Sequence, residues 1–352
     1  MSLVTSLKRR VKAIYNSGQS LILSISASSR LTTGIYYLVT GHFAREHHAT
    51  ISGRIAYEKS LKDPKNSSAL LRRNVHRLEK GLLMRPRRVP FGLNYIEETV
   101  SAYTRASKAG IEQTELAWAR DVLNEYMDAS PAHPKIDPLR ALVAEANGGV
   151  AESSGCKRMI PYMRDPTDAP AVTYDDLLAL AKYRRSVRWF LPNSVPREMI
   201  DRALTVAGYS PTACNRQPYE FRIMDDPALV EQAINLPMGT GGFSHQVPAV
   251  AIVVGKQRNY FKERDRHLIY TDASLAIMSF VYALEVQGLA SCCINWPDVE
   301  EREQKMEKFL HLEQDERPIM LVAIGYPDPD GMVAYSSKKP LSTLRTYNFE
   351  SK

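Results

Sequence analysis

The pattern of apolar positions divides the chain into a helical first half and a second half that mixes strands with helices. Leucines and a valine recur at helical spacing in SSALLRRNVHRLEKGLLM, residues 67–84. Two further amphipathic runs follow it, YIEETVSAYTRASKAG (95–110) and TELAWARDVLNEYM (114–127). Gly110 is expected to end the first of these two helices as its C-cap, because glycine tolerates the left-handed conformation found there.

From residue 173 onward, strand and helix patterns alternate. Four apolar runs predict strands: YEFRIM (219–224), PAVAIVVG (248–255), ASCCINW (290–296) and RPIMLVAIGYP (317–327). The second run is continuously apolar and β-branched, which predicts a buried central strand. DASLAIMSFVYALEVQGL (272–289) is almost wholly apolar and predicts a buried helix. The predicted fold class is therefore α+β, a mainly antiparallel sheet flanked by helices and preceded by a mostly helical region.

Two polar side chains predict where helices begin in the second half. Thr173 is expected to cap a helix that runs to Arg184. Ser194 is expected to cap the next helix, with Pro196 early in its first turn. In both positions the hydroxyl oxygen would accept a hydrogen bond from an otherwise unpaired backbone N–H.

A proline-containing stretch separates the two halves. Residues 153–173 carry three prolines, which predicts a linker. The chain has 352 residues, a comfortable length for two packed units. We therefore predict a basic, mostly helical extension over residues 1–170 and a second domain over residues 171–352.

Positive charge is concentrated at the start of the chain. Residues 1–90 contain 17 lysines and arginines against 4 acidic residues, although the whole chain carries a formal charge of only +7. Such an excess attracts anionic surfaces over a long range. An anionic surface or polymer is thus a candidate partner for residues 1–90, and no specific nucleic-acid motif accompanies the charge.

Cysteine usage and the N-terminal pattern favour a cytoplasmic protein. The cysteines are too few for a disulfide scaffold and match no zinc spacing; they are Cys156, Cys214, Cys292 and Cys293. The apolar run SLILSISASS (20–29) is short and serine-rich, so it does not predict a signal peptide. We also expect no stretch of about 18 apolar residues that could span a membrane. Peripheral attachment to a membrane is the alternative location.

Several common cofactor motifs are missing from the sequence. No G-x-G-x-x-G follows a predicted strand and no phosphate-binding P-loop motif occurs, while GTGGF (239–243) lies in a loop before a strand. His42, His47 and His48 have near-helical spacing but no carboxylates around them in a ligand pattern. No metal site is predicted.

Four short stretches in one order carry the strongest functional information. They are RRSVRWF (184–190), SPTACNRQP (210–218), GLASCCINW (288–296) and SSKKPL (336–341). Together they resemble the FMN-dependent nitroreductase family over about residues 174–348. The resemblance implies a nitroreductase-like fold for residues 171–352 and FMN as the cofactor.

The basic residues of the first and last stretches correspond to phosphate-binding positions of that family. By this resemblance Arg184 and Ser186 hold the FMN phosphate and ribityl chain, and Lys338 is a late phosphate-binding cation. A guanidinium fork and a hydroxyl suit phosphate oxygens. Arg188 corresponds to a cation near the flavin N1/O2 edge, where it would stabilise the negative charge of reduced flavin. Ser336 departs from the family, which often has a second cation there.

The two middle stretches correspond to residues beside the flavin ring. The resemblance assigns a loop that reaches the flavin of the partner subunit to Pro211, Thr212 and Asn215. It assigns the strand end that lies on the ring and offers a backbone N–H to N5 to Cys293, Ile294, Asn295 and Trp296. Trp296 stands where the family often has a small residue, so its indole would narrow the flavin face or else point into the core. Cys292 and Cys293 are expected to point to opposite faces of a strand, which disfavours a disulfide.

The resemblance implies a homodimeric FMN-dependent oxidoreductase. NAD(P)H would be the electron donor, a small organic molecule the acceptor, and flavin N5 the point of two-electron transfer. No acid or base of the chain stands out as catalytic. Dehalogenation, flavin cleavage and substrate oxidation are alternative chemistries. A different alternative is a non-catalytic binder that docks to an anionic surface through its basic first quarter.

Overall fold

The fold comes from a computed structural model, which describes residues 18–150 and 158–348. The first half is helical, as predicted. Its helices are α1 (Arg30–Thr40), α2 (Ala44–Ser60), α3 (Ala69–Leu82), α4 (Ile96–Ala109), α5 (Gln113–Ala129) and α6 (Asp137–Asn147), and residues 18–26 are helical as well. Gly110 ends α4 with φ 64°, and its N–H bonds to the carbonyls of Ala106 and Ser107. The predicted C-cap is therefore confirmed.

Helices α3 to α6 pack around one apolar core. Fully buried side chains from three of these helices meet there, among them Leu78, Tyr103 and Tyr126. The Tyr126 hydroxyl donates to the carbonyl oxygen of Phe91 at 2.7 Å, so its polar end is satisfied within the core. Phe261 of the second half packs against the same cluster.

The second half combines a sheet with helices on both of its faces. Its elements are α7 (Tyr174–Tyr183), α8 (Arg197–Gly208), β1 (Tyr219–Met224), α9 (Pro227–Ile234), β2 (Ala249–Lys256), α10 (Leu268–Glu285), β3 (Ala290–Asn295), α11 (Glu300–Leu310), β4 (Glu316–Gly325) and α12 (Leu341–Leu344). The strands lie in the order β1-β2-β4-β3, and every neighbouring pair is antiparallel. The predicted α+β fold class is confirmed.

Strand β2 is central and buried on both faces, as predicted. Ala251 and Val253 point toward a core formed with α8 and α10. Ile252 and Val254 point toward a second core that contains Met306 of α11 and side chains of α9. All four β2 side chains are 0% exposed, so the alternation of the strand supplies both layers.

The predicted helix starts fare differently. Thr173 caps α7 and forms a reciprocal pair of hydrogen bonds with Asp176, which confirms the prediction. The prediction for Ser194 is wrong: α8 begins at Arg197, and Pro196 occupies the N-cap without a side-chain hydrogen bond. Pro196 has an extended ψ of 130°, so the chain enters the helix only after it and Ser194 is left outside the first turn.

Helix α10 is longer and less completely buried than predicted. It begins at Leu268, four residues before the predicted start, and Leu275 and Met278 are 45% and 39% exposed. The segment Glu263–Glu285 is long and apolar enough to cross a membrane, which corrects the expectation that no such stretch exists. Half of that apolar window is buried in the protein, because α10 covers one face of the sheet.

The helical first half packs directly on the second half. The rings of Tyr57 and Phe261 lie 5.8 Å apart, and the Ser67 hydroxyl bonds the Asn259 side chain at 3.0 Å. Arg45 donates two hydrogen bonds to Glu300, at 2.9 and 2.6 Å. These bonds hold the pKa of Glu300 at about 2, so the pair stays charged at neutral pH.

The boundary at residue 170 remains a prediction. Residues 158–173 are irregular apart from a short turn of 3₁₀ helix at Pro166–Asp168, as expected of a linker. The rest of the predicted linker, including Cys156, lies outside the described residues.

Gly53 allows α2 to approach the second half closely, and its replacement tests that packing. A Cβ at Gly53 would lie 2.5 Å from Cβ of Gln257 and 2.8 Å from its backbone carbon. We expect Gly53→Ala to destabilise the protein by about 1–3 kcal/mol through overpacking, measured by urea unfolding.

The matched control for this prediction is Gly34→Ala, because no atom lies within 4 Å of a Cβ at this helical position. We expect it to be neutral or up to about 1 kcal/mol stabilising, through helix propensity. Equal effects of the two substitutions would contradict the close packing of α2.

Candidate functional site

The stretch RRSVRWF runs along the free edge of β3. Ser186 forms a parallel bridge with Ser291, and the Val187 N–H donates to the Ser291 carbonyl at 3.1 Å. Further along, the Leu191 N–H donates to the Tyr326 carbonyl at 2.9 Å, just after β4. Strand β3 therefore has β4 on one side and the basic stretch on the other.

This arrangement brings three of the predicted site residues around one thiol. Burial raises the pKa of Cys292, and the nearby charges of Arg188 and Arg184 and a hydrogen bond with Ser186 oppose the rise. Arg184 also faces the C-terminal end of α10, where burial raises the pKa of Glu285 and the Arg184 charge opposes it. The structure thus groups Arg184, Ser186 and Arg188 at the start of β3.

The described residues balance the charges of this cluster only in part. Within residues 18–150 and 158–348, Arg184 and Arg188 form no ion pair with an acidic side chain, although the Glu285 carboxylate lies near enough to interact with the Arg184 charge. Nε of Arg184 and Oγ of Ser291 are buried without a hydrogen-bond partner. Because buried polar atoms are normally paired, this donor set fits an anionic group with several acceptor oxygens.

The side chains of β3 alternate as the sequence predicts. Cys292 and Ile294 are buried, whereas Cys293 and Asn295 are exposed on the other face. Protein atoms nevertheless surround the Cys293 thiol closely, and this desolvation raises its pKa to about 11. Both thiols are free and protonated at neutral pH, which makes them poor nucleophiles.

Trp296 points into the core instead of toward the candidate site. It is 7% exposed, and its indole N–H donates to Oε1 of Glu303 at 2.8 Å. Oε1 of Glu303 also accepts from the buried Arg317 at 3.1 Å. The indole is held by this network, so the interpretation in which it narrows the flavin face is wrong and the core interpretation is correct.

Lys338 makes no hydrogen bond to the cluster within the described residues. It is exposed, in an irregular segment, and makes no hydrogen bond or ion pair within residues 18–150 and 158–348. Ser336, two residues earlier, has φ 48° in the left-handed region. The chain just before this segment does approach the basic stretch, since the Asp328 N–H donates to the Trp189 carbonyl at 3.0 Å.

The loop SPTACNRQP has an unusual backbone. Cys214, Asn215 and Gln217 all have φ between 48° and 54°, a conformation that non-glycine residues adopt rarely. The Thr212 hydroxyl accepts from the Gln217 N–H at 3.1 Å, and the Ala213 N–H donates to a carboxylate of α10 at 3.0 Å. Such strain persists only where surrounding contacts hold it, and it clusters at functional sites.

Within one chain, this loop runs along α10 toward the arginine cluster. Its Ala213 N–H bonds Asp272 near the start of the helix and its Ser210 hydroxyl bonds the Ser279 hydroxyl at 2.8 Å, whereas Arg184 faces Glu285 at the end. Thirteen residues of helix separate Asp272 from Glu285 and six separate Ser279 from it, or roughly 20 and 9 Å. Within the described residues, no hydrogen bond joins the loop to the arginine cluster of the same chain.

Arg72 of α3 is a residue that the sequence did not single out. Its Nε donates to the Asn215 carbonyl at 2.7 Å, and one Nη donates to Oε1 of Gln217 at 3.2 Å. Its other Nη pairs with Glu115 at 3.0 Å. The partners in the loop lie more than a hundred positions away in the sequence, so no local pattern could have indicated the contact.

Comparison with known proteins identifies the second half. Residues 181–241 and 231–326 match the model of the Nitroreductase family. The match places a nitroreductase-family domain in the C-terminal half of this chain, within residues 181–326.

Relatives match the same half of the chain. A Methanothermobacter thermautotrophicus protein that carries the name NADH dehydrogenase/NAD(P)H nitroreductase is 25% identical over 152 residues, which is 43% of this chain and 78% of the relative. The iodotyrosine deiodinase of Haliscomenobacter hydrossis is 23% identical over 185 residues, 45% of this chain and 82% of the relative. An FMN-dependent nitroreductase structure from Clostridium difficile R20291 is 20% identical with a TM-score of 0.43, and the match covers 49% of this chain and 99% of that chain.

The contacts of Arg72 predict that the helical first half orders the strained loop. We expect Arg72→Ala to raise amide hydrogen exchange at residues 213–217 by about tenfold or more, because charge-assisted hydrogen bonds are lost. Hydrogen exchange followed by mass spectrometry would measure the change.

The control is Arg77→Ala on the same helix, since the Arg77 guanidinium stacks on Tyr95 at 3.6 Å and does not contact the loop. Exchange at residues 213–217 should stay at the wild-type rate in this variant. Unchanged exchange in Arg72→Ala would show that the loop is held by α10 alone.

Proposed function

We propose that this protein is an FMN-dependent oxidoreductase that transfers two electrons from NAD(P)H to a small organic acceptor. The observation that carries the proposal is the cluster of Arg184, Ser186 and Arg188 beside β3, whose arginines form no ion pair within the described residues, inside a region that matches the Nitroreductase family. When bound, the flavin would supply the electron-transfer chemistry through its N5 position.

The residues of this chain would bind and orient the cofactor. Arg184 and Ser186 would hold the phosphate and ribityl oxygens, where the unpartnered Nε of Arg184 favours an acceptor. Arg188 would stabilise negative charge at the N1/O2 edge of the ring. Lys338, which makes no hydrogen bond or ion pair within the described residues, would bind the phosphate from the irregular C-terminal segment.

The end of β3 would form the floor under the reacting edge of the flavin. Cys293 and Asn295 are exposed on one face, and Ile294 and Trp296 are anchored in the core behind them. Because the side chains of Ile294 and Trp296 are both buried, only their backbone groups would contact the flavin. A rigid strand end positions an N–H more accurately than a mobile loop does.

We also propose a homodimer. Within the described residues, the loop that carries Pro211, Thr212 and Asn215 makes no hydrogen bond to the arginine cluster of its own chain, which favours a contact of this loop with the flavin of a partner subunit. Leu275 and Met278 expose an apolar strip on α10, the helix that contacts this loop. Pairing through α10 would cover the strip and complete the site.

Replacement of Arg184 tests the cofactor assignment. We expect Arg184→Ala to weaken FMN binding about ten- to a hundredfold, because a charge-assisted hydrogen bond contributes about 1.5–3 kcal/mol. Titration of flavin-free protein, followed by quenching of FMN fluorescence, gives the Kd.

The neighbouring Arg185→Ala serves as the control, because the Arg185 side chain bonds the backbone carbonyl of Arg184 at 3.1 Å. It should bind FMN within a few-fold of wild type. Equal affinities for Arg184→Ala and wild type would remove Arg184 from the phosphate site.

Reductive dehalogenation is the second candidate. Iodotyrosine deiodinases from several organisms match this chain at 22–26% identity, including those of Sus scrofa and Thermotoga neapolitana. Reduced protein should be offered nitroaromatics and iodotyrosine in parallel, with flavin reoxidation and iodide release followed separately. Iodide release that keeps pace with reoxidation would favour dehalogenation.

The colour of the purified protein distinguishes the non-catalytic alternative from the two proposed enzyme activities. A yellow purified protein with flavin absorbance supports the enzyme. A colourless protein that does not take up added FMN would favour a binder that docks through its basic first quarter.

A further inference from the structure

The first described helices expose an apolar surface that nothing in the described part of the chain covers. Helix α1 has no buried residue. Large apolar side chains on residues 18–26 and on α1 are 47–83% exposed; they include Leu21, Ile25, Leu31, Ile35, Leu38 and Val39. A contiguous apolar surface of this kind marks an interaction site in a folded protein.

The two helices form one ordered unit despite this exposure. Ser29 caps α1 through a reciprocal pair of hydrogen bonds with Thr32. The hydroxyls of Thr32 and Thr33 donate to the Ser26 carbonyl at 3.0 and 2.7 Å, which ties the end of the first helix to the start of the second. Local polar contacts at the turn therefore hold the two helices together, without a shared apolar core.

Basic residues flank this unit on both sides in the sequence, but the unit itself contains almost no charged residue. The only charged residue between Lys12 and Arg45 is Arg30. The first acidic residue of the chain is Glu46, whereas six lysines and arginines precede it. An apolar segment flanked by basic residues matches the chemistry of an anionic lipid surface, whose acyl chains take the apolar groups and whose phosphates take the cations.

Helix α1 is too short to span a membrane. Its eleven residues extend roughly 16 Å, about half the thickness of a bilayer core. Tyr36 and Tyr37 of α1 are partly exposed, and tyrosine is common at the boundary between headgroups and acyl chains.

We propose that helix 18–26 and α1 form an in-plane attachment to a membrane surface rich in anionic lipid. The other occupant of this surface would be a second copy of the chain. That pairing would set the basic segments of two chains against each other without a counter-ion, whereas lipid phosphates neutralise them. The attachment does not rest on the flavin assignment, because it involves no residue of the candidate site.

The test uses the full chain and two kinds of vesicle, phosphatidylcholine alone and phosphatidylcholine with about a third of phosphatidylglycerol. We expect flotation with the anionic vesicles, weaker at high salt, and little with the neutral ones. Leu38→Glu, at an 83% exposed position, should lower the partition coefficient about tenfold or more, because burial of a leucine is lost.

The matched control is Leu142→Glu, the same change at an exposed position of α6, which should float like wild type. Circular dichroism of both variants establishes that they are folded. Failure of the wild type to float, or equal flotation of Leu38→Glu and wild type, would overturn the proposal. A change in oligomeric mass with no change in flotation would assign the surface to a second copy instead.

Discussion

Strand β2 has water on neither face, and this constraint determines where the other elements of the second half can lie. Its alternate side chains face two separate cores, so helices must cover both sides of the sheet. Helix α10 has to be apolar to cover one of them, which is why it also resembles a membrane span in composition. With the faces covered along β2, the sheet can meet a ligand only toward its edges, as at β3, where Cys293 and Asn295 are exposed. The basic stretch lies at the β3 edge, where Ser186 bridges Ser291.

Much of this fold could be predicted from the sequence because its patterns are local. The spacing of apolar residues predicts α3, α4 and α5, and the continuous β2 run predicts a strand buried on both faces. Ser194 shows the limit of this approach. A hydroxyl before a helix is a common cap, but the backbone is still extended at Pro196 and enters the helix only after it, so Ser194 lies too early to cap the first turn.

The candidate site was predictable only in part. The direction of Trp296 was left open and Arg72 was missed, for different physical reasons. The sequence allowed the Trp296 side chain to point either toward the flavin face or into the core. It points into the core, where its indole N–H donates to the buried Glu303. Arg72 could not be found at all from sequence, because the groups it bonds come together only in the folded chain. The arginine cluster was predictable since its members fall within five consecutive positions and needed no long-range contact to be recognised.

The contact between Arg45 and α11 links the helical first half of the chain to the second half. Arg45 lies a few residues after α1 and forms ion pairs with Glu300 and Glu307, on the helix whose Glu303 holds Trp296 behind the end of β3. A ligand of the first helices that altered this contact would act on the helix that supports the end of β3. By thermodynamic reciprocity, any coupling of this kind would act in both directions by the same factor: a ligand at the β3 edge would change the affinity of the first helices as much as their ligand changes affinity at that edge.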